Sequence, residues 1–379
     1  MRIALQSYMR KRFYGLGLIV FLLILATGCP SKSNKKRQVV KEAIETREVV
    51  QFSEFSNRNF QDYFGTLHKR GLFNGNVLVA EKDSIFTASY GYSQIRKKEV
   101  LSIDDRFQLA SVSKPLTAYA TLILVDRGLI DLDANVQSYL PDFPYDEITV
   151  HQLLSHRSGL SNYMYVTDSA WTDKELALCN DEAYSIFCEQ EPMRYYPTDT
   201  RFDYCNTNYF LLAYIIEKIA KMPFEAFMAK EVFDPLNMND TRVYTNMSYT
   251  DLPHIAVGSN AYGYPKVDFY LNGVSGDKGV YSTVGDMYTF HRELLNPQLI
   301  DSVLVTNMYK PYSKFSRRGN SYGYGFRLSK RDSNILVYHK GWWRGYRSYF
   351  YHLPEKEATI IALTNTTRGR FLELEDLIE

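Results

Sequence analysis

Residues 116–125 are apolar nearly all round, running from Leu116 through Leu122, Ile123 and Leu124 to Val125 with only two threonines between. A helix with no polar face has to be buried, so this run demands a domain large enough to surround it. Pro115 fits the first turn, where its missing N–H costs nothing, and Gly128, just after Arg127, fits the stop. A chain of 379 residues that is 45% apolar can build such a core in one α/β domain or in two. Its net charge of +1 gives no general pull toward nucleic acid, and no nucleic-acid partner is expected.

The start of that helix carries chemistry. Ser111 and Lys114 form a Ser-x-x-Lys pattern, and their spacing puts both side chains on one face. Ser111 would sit at the helix N-terminus, where free N–H groups favour developing negative charge. A lysine held in a dry pocket can serve as its proton acceptor. The same spacing recurs at Ser33/Lys36, in a polar lysine-rich stretch, and at Ser275/Lys278, in a Gly-rich loop, and neither has a buried helix behind it.

Two further clusters follow in the chain. Tyr204, Cys205 and Asn206 lie in a polar kink that leads into a second apolar helical run, residues 209–219. A phenol beside Ser111 could relay protons and an amide could fix a substrate carbonyl; the same residues also fit a packed tyrosine and a helix-capping asparagine. Cys205 between them reads as a small buried filler. His339, Lys340 and Gly341 stand between two strand-like runs, residues 334–338 and 346–352, and make the chain's one His-x-Gly. Gly341 would let a substrate backbone approach the strand edge. The N–H groups of Trp342 and Ser111 would then form an oxyanion hole.

In combination these clusters resemble the serine β-lactamase and penicillin-binding-protein superfamily, specifically its class C-like branch with D,D-peptidases and esterases. Residues 148–160, 224–238 and 279–283 agree with the same pattern, so the resemblance runs from about Phe73 to Thr367. It implies a β-lactamase/transpeptidase-like α/β (α+β) fold: an antiparallel sheet flanked by helices, plus a mostly helical subdomain with the active site between. It makes Ser111 the acylated nucleophile, Lys114 its proton acceptor or electrostatic activator, and Tyr204 the acid/base. Asn206, His339, Gly341 and Trp342 become substrate-binding residues. No cofactor is implied and no metal-ligand spacing stands out. The substrate would be a small molecule or a peptidoglycan peptide. Lys340, Thr198 (after Pro197) and the bulky Trp342 and Trp343 depart from the family pattern. A histidine at 339 would titrate near pH 6.5 if unperturbed and contribute an acid limb, with Lys340 as a nearby cation. The alternative is a non-turnover penicillin-binding or sensor protein that is acylated without efficient catalysis.

The first residues give an address. Arg2, Arg10, Lys11 and Arg12 precede an apolar stretch, 13–26, which suits a signal peptide better than a bilayer span. Leu25, Ala26, Thr27, Gly28 and Cys29 resemble a bacterial lipobox, making Cys29 a lipidated first residue that anchors the protein to a membrane of the cell envelope, facing the periplasm. The expected organisation is a lipoprotein signal peptide over 1–28, a flexible tether over 29–55 and the hydrolase domain over 56–379. Of the remaining cysteines, Cys179 and Cys188 are the best candidates for a disulfide, by their short spacing. Strands from Gly75 to Tyr92 and from Tyr322 to Asn365 should share one antiparallel sheet, with residues 116–236 mostly helical. Tyr163, Tyr165, Trp342 and Trp343 are expected to wall a cleft.

Overall fold

A computed structural model describes residues 60–331, 334–369, 371–374 and 377; the lipobox, Cys29, the tether and Ser33 lie outside them. Its frame is a seven-stranded antiparallel sheet. In chain order the strands are β1 (Gly75–Glu81), β2 (Ser84–Tyr90), β3 (Asn320–Tyr322), β4 (Arg327–Arg331), β5 (Asn334–Trp343), β6 (Tyr346–Leu353) and β7 (Ala358–Thr364). They lie in the order β2-β1-β7-β6-β5-β4-β3. The first and last strands are therefore neighbours, Gly75 opposite Thr364 and Glu81 opposite Ala358, as the sequence pattern leads one to expect.

Both faces of the sheet are covered, which is why β7 reads as a continuous apolar run rather than an alternating one. Ile360 and Ala362 point to one side, into a cluster with Phe60 and Phe64 from helix α1 (Phe60–Lys69) and with Leu374. Ile361 and Leu363 point to the other, into the main core. That core surrounds α2 (Ser113–Asp126), whose residues 113–124 are all buried, and which ends on Gly128 at φ +68°. Next along the chain come α3 (Tyr163–Ala170), α4 (Asn180–Gln190) and α5 (Asn206–Ala220), with α5 packed on α2. Helix α6 (Val284–Leu295) then returns to the sheet against β7 and β1.

Cys179 and Cys188 are free thiols, against expectation. Cys179 is the N-cap of α4 and Cys188 lies near its other end. Nine helical steps separate them by about 13 Å, roughly twice the reach of a disulfide.

Four histidines, His156, His291, His339 and His352, are fully buried. Burial holds each well below its ordinary value of 6.5, His352 down at about 3. His352 and His291 share one hydrogen bond between their Nδ1 atoms at 2.8 Å, and Tyr309 Oη lies 3.0 Å from His352 Nε2. An unfolded chain takes up protons at these rings below about pH 6.5 while the native protein does not. Stability is therefore intact above that pH and falls as the pH drops toward 3, by up to about 1.4 kcal/mol per pH unit for each ring. The urea midpoint should fall between pH 7 and pH 5, and less steeply in His352→Gln; equal slopes in the two proteins would refute this account.

Candidate active site

The nucleophile turn is built before α2 begins. Short strand Phe107–Gln108 pairs with Val280–Ser282, and Leu109 N–H donates to Val280 O at 2.8 Å. Ala110 then takes φ +50°, a left-handed conformation rare for a residue with a Cβ, and the chain turns through Ala110–Val112 into α2. Ser111 thus stands in a tight turn just ahead of the helix, not within its first turn, and remains partly exposed while Val112 and Ser113 are buried.

Lys114 is wholly buried, and its Nζ has three partners. It lies 3.2 Å from Ser111 Oγ, 2.9 Å from Asn206 Oδ1 and 2.8 Å from the main-chain carbonyl of Asp277. Asn206 Oδ1 and the Asp277 carbonyl, which can only accept, hold the nitrogen from two sides and leave its third direction to Ser111 Oγ. Its Nζ also lies 5.0 Å from the centre of the Tyr204 ring. Ser111, Lys114, Tyr204 and Asn206 thus come together in one place from two distant stretches of the chain.

The kink carrying Tyr204 and Asn206 is tied down by His156, a residue itself at φ +55°. The His156 Nδ1 accepts from Cys205 N–H at 3.2 Å and faces Asn208 Nδ2 at 2.9 Å, and its ring lies 4.5 Å from that of Tyr204. Tyr204 Oη is buried with no hydrogen-bond partner among the described residues. A buried hydroxyl without a partner is costly in an ordinary core, and this one belongs to the ring that lies beside Lys114. Asn206 opens α5, and its Nδ2 rests 3.6 Å from Met164 Sδ, a weak acceptor that a substrate carbonyl can replace. Burial pushes the Cys205 thiol up to about 11, so it is a filler and not a second nucleophile.

Strand β5 runs to Trp343, beyond the apolar run legible in the sequence, and carries the third cluster. Gly341 faces the nucleophile turn: a Cβ there would lie 2.4 Å from Leu109 O and 3.0 Å from Ser111 N. The close approach this glycine permits is that of the nucleophile's own backbone, where the sequence suggested substrate. Trp343 pairs with Tyr346 across a two-residue turn at positive φ. Ladder alternation then directs the main-chain groups of Gly341 to β6 and those of Lys340 and Trp342 to the opposite edge. Neighbouring β4 reaches only to Arg327, opposite Tyr338, so the Trp342 N–H lies on an open strand edge.

His339 differs from the sequence expectation in two ways. It is fully buried, and desolvation together with the charges of Arg327 and Lys114 holds it well below 6.5, so it is neutral and contributes no acid limb near that pH. Its Nδ1 lies 2.9 Å from Lys340 O, which can only accept, so Nδ1 carries the proton. Nε2 therefore accepts from Tyr322 Oη at 3.2 Å, so this nitrogen is already occupied within the protein. Lys340 alternates to the far face of the sheet and pairs with Glu373 at 3.2 Å, away from the site. Of the expected cleft walls, Tyr165 and Trp342 are exposed, Trp343 is half-buried, and Tyr163 is buried beneath the site.

Sequence reasoning missed Arg327. Its guanidinium lies 4.6 Å over the Tyr204 ring, near enough for its charge to act on His339, and has no ion-pair partner among the described residues. The Asp277 carbonyl was missed as well, since a main-chain acceptor leaves no mark in residue identity.

A polarised serine, a buried lysine and an unpartnered phenol beside an open strand edge define a serine hydrolase. The chain belongs to the Beta-lactamase family, whose model matches residues 57–378. It is similar to penicillin-binding protein 4* of Bacillus subtilis, 31% identical over 323 residues, which cover 81% of this chain and 71% of that one. The D-aminopeptidase of Brucella anthropi is 23% identical over 78% of this chain and 56% of its own length. Among solved structures, a penicillin binding protein from Bacillus halodurans superposes with a TM-score of 0.72 at 23% identity, covering 85% of this chain and 98% of that one. A D-amino acid amidase from Ochrobactrum anthropi SV3 gives 0.69 at 23% identity over 83% and 92%. At these identities the structural likeness establishes the fold.

Proposed function

We propose that this protein is a lipid-anchored hydrolase that cleaves an amide or ester through an acyl-enzyme at Ser111, acting on D-amino-acid peptides of the cell wall, related amides or esters, or β-lactams. The observation that carries this reading is the clamp of Asn206 Oδ1 and the Asp277 carbonyl on Lys114 Nζ, which holds it 3.2 Å from Ser111 Oγ. Lys114 acts here as the neutral amine: its two N–H groups donate to Asn206 Oδ1 and Asp277 O, and its lone pair takes the Ser111 hydroxyl proton as Oγ attacks the substrate carbonyl. Tyr204 Oη, buried and without a partner among the described residues, delivers a proton to the leaving group and later draws one from the attacking water. The N–H groups of Ser111 and Trp342 take the oxyanion. Asn206 exchanges Met164 for the substrate carbonyl. Neutral His339 holds Tyr322 and, with Gly341, sets the distance between β5 and the nucleophile.

Arg327 favours a substrate that ends in a carboxylate, since a half-buried guanidinium beside Tyr204 is a ready fork for one. Relatives named penicillin-binding protein, D-aminopeptidase and D-amino acid amidase support D-amino-acid peptides and amides as substrates, and the carboxylate preference rests on Arg327 alone. The lipobox-like residues before Cys29 support anchoring in a bacterial envelope.

Turnover of a D-alanyl-D-alanine peptide, nitrocefin and a p-nitrophenyl ester by the full chain tests this reading. The peptide should be cleaved, and Arg327→Gln should lower kcat/KM for it by about tenfold or more while leaving the ester nearly unchanged. Failure to turn over any of the three, with a penicillin label that persists on the protein, would establish the non-turnover alternative. Incorporation of a fatty-acid analogue at Cys29 tests the anchor; wild-type protein that takes up no lipid refutes it.

A further inference from the structure

We propose that Lys278, ion-paired with Asp277 beneath the nucleophile helix, is a positioning residue that holds the Asp277 carbonyl on Lys114. The inference rests on the acyl-enzyme reading above.

Ser275 and Lys278 repeat the Ser-x-x-Lys spacing, but in a loop where the two have separate partners. Ser275 Oγ is 3.2 Å from Asn180 Nδ2, whereas Lys278 Nζ donates to Val274 O at 2.8 Å, to Tyr163 Oη at 2.7 Å and to Asp277 Oδ1 at 3.2 Å. Tyr163 Oη in turn lies 3.3 Å from both carboxylate oxygens of Asp277. Burial and the Asp277 charge push the Tyr163 phenol well above its ordinary range, so it keeps its proton and donates it to the carboxylate. Lysine, phenol and carboxylate thus close a ring in which both charges are satisfied, with the Trp343 indole 5.0 Å from the ammonium. Lys278 and Asp277 are only 2% and 1% exposed.

Desolvating two charges costs several kcal/mol, and well-packed apolar residues often serve a core as well or better. This pair sits in the loop that meets α2 at three points. Thr117 Oγ1 donates to Gly276 O at 2.7 Å, Lys114 Nζ to Asp277 O at 2.8 Å, and Val280 N to Ser113 Oγ at 3.2 Å. Gly276, at φ +98°, is pressed so closely on α5 that a Cβ would lie 2.4 Å from Tyr209 O. The Asp277 peptide therefore has α5 behind it, α2 above it and its own side chain locked to Lys278 and Tyr163. Releasing the side chain frees that peptide to rotate, and Lys114 then loses one of the two acceptors that aim it at Ser111. Displacement of a catalytic group by a fraction of an ångström lowers the rate of the chemical step and leaves substrate binding largely intact.

The test uses the full chain and a fluorescent penicillin, following covalent labelling over a range of probe concentrations. Asp277→Asn/Lys278→Met removes both charges at similar volume and avoids leaving one of them stranded. Its limiting acylation rate should fall about tenfold or more, with half-saturation within about threefold of wild type and a melting temperature within a few degrees. A stable double variant that acylates at the wild-type rate would show the pair to be structural only and overturn the proposal. Should that variant fail to fold, Tyr163→Phe, which removes one hydroxyl, should lower the limiting rate about threefold or more; a folded Tyr163→Phe at the wild-type rate overturns the proposal equally. Wild-type label on Ser111 with unchanged variants refutes this inference alone. Wild-type protein that acquires no label on Ser111 refutes the acyl-enzyme reading, and this inference with it.

Discussion

Ser111→Ala should lose turnover by about four orders of magnitude or more and abolish covalent labelling by serine-directed probes, while melting within a few degrees of wild type. The hydroxyl meets Lys114 Nζ at 3.2 Å, and the residue is partly exposed, so little of the fold depends on it. The competing serines are occupied. Ser113 is fully buried and its Oγ accepts from Val280 N; Ser275 is 1% exposed and bonded to Asn180; Ser348 Oγ donates to Leu109 O. Peptide mapping of the labelled protein should therefore place the adduct on Ser111 alone. An adduct on Ser113 or Ser275, or activity surviving within tenfold in Ser111→Ala, would remove the serine from the mechanism.

The parts of this site that depend on local pattern are legible in the order of residues. The all-apolar run behind Lys114, the polar kink before α5 and the lone His-x-Gly each identify themselves by composition and order, and the sheet can be paired because its strands are long and apolar. What stays hidden depends on distance across the fold. Asp277 contributes a carbonyl, which any residue could supply. Arg327 arrives through the β4–β5 hairpin, and nothing in its sequence neighbours distinguishes it from a surface arginine. His339 reads in the sequence as an ordinary titrating imidazole because its burial is set by the fold, and the Tyr322 ring beside it and the charges of Arg327 and Lys114 that add to the effect all come from elsewhere in the chain. Cys179 and Cys188 mislead because a short spacing in sequence becomes a long one once a helix fills it. Lys340 misleads in the opposite sense: adjacent to His339, it belongs to the other face of the same strand.

Gly341→Ala is the substitution that should do most damage for the least chemistry. The added methyl would lie 2.2 Å from Ser348 Oγ, 2.4 Å from Leu109 O and 3.0 Å from Ser111 N. The serine can rotate only by abandoning Leu109 O, to which it donates. The other two atoms are main chain, and that chain cannot yield freely. Leu109 N is tied to Val280 O, and Ala110 already holds a left-handed φ of +50°. Either β5 retreats, carrying the Trp342 N–H and His339 away from the serine, or the turn retreats and carries Ser111 away from Lys114. Both routes separate nucleophile from oxyanion donors, and a shift near 1 Å is worth about 100-fold in rate. We expect kcat/KM and the limiting acylation rate to fall about 100-fold or more, with about 1–3 kcal/mol of stability lost to overpacking. The loss of rate should exceed what unfolding accounts for, because a protein destabilised by that amount is still almost wholly native at 25 °C. A folded Gly341→Ala enzyme within threefold of wild type in both rates would show that strand and turn can part without disturbing the chemistry, and that the close packing of Gly341 on the nucleophile is incidental.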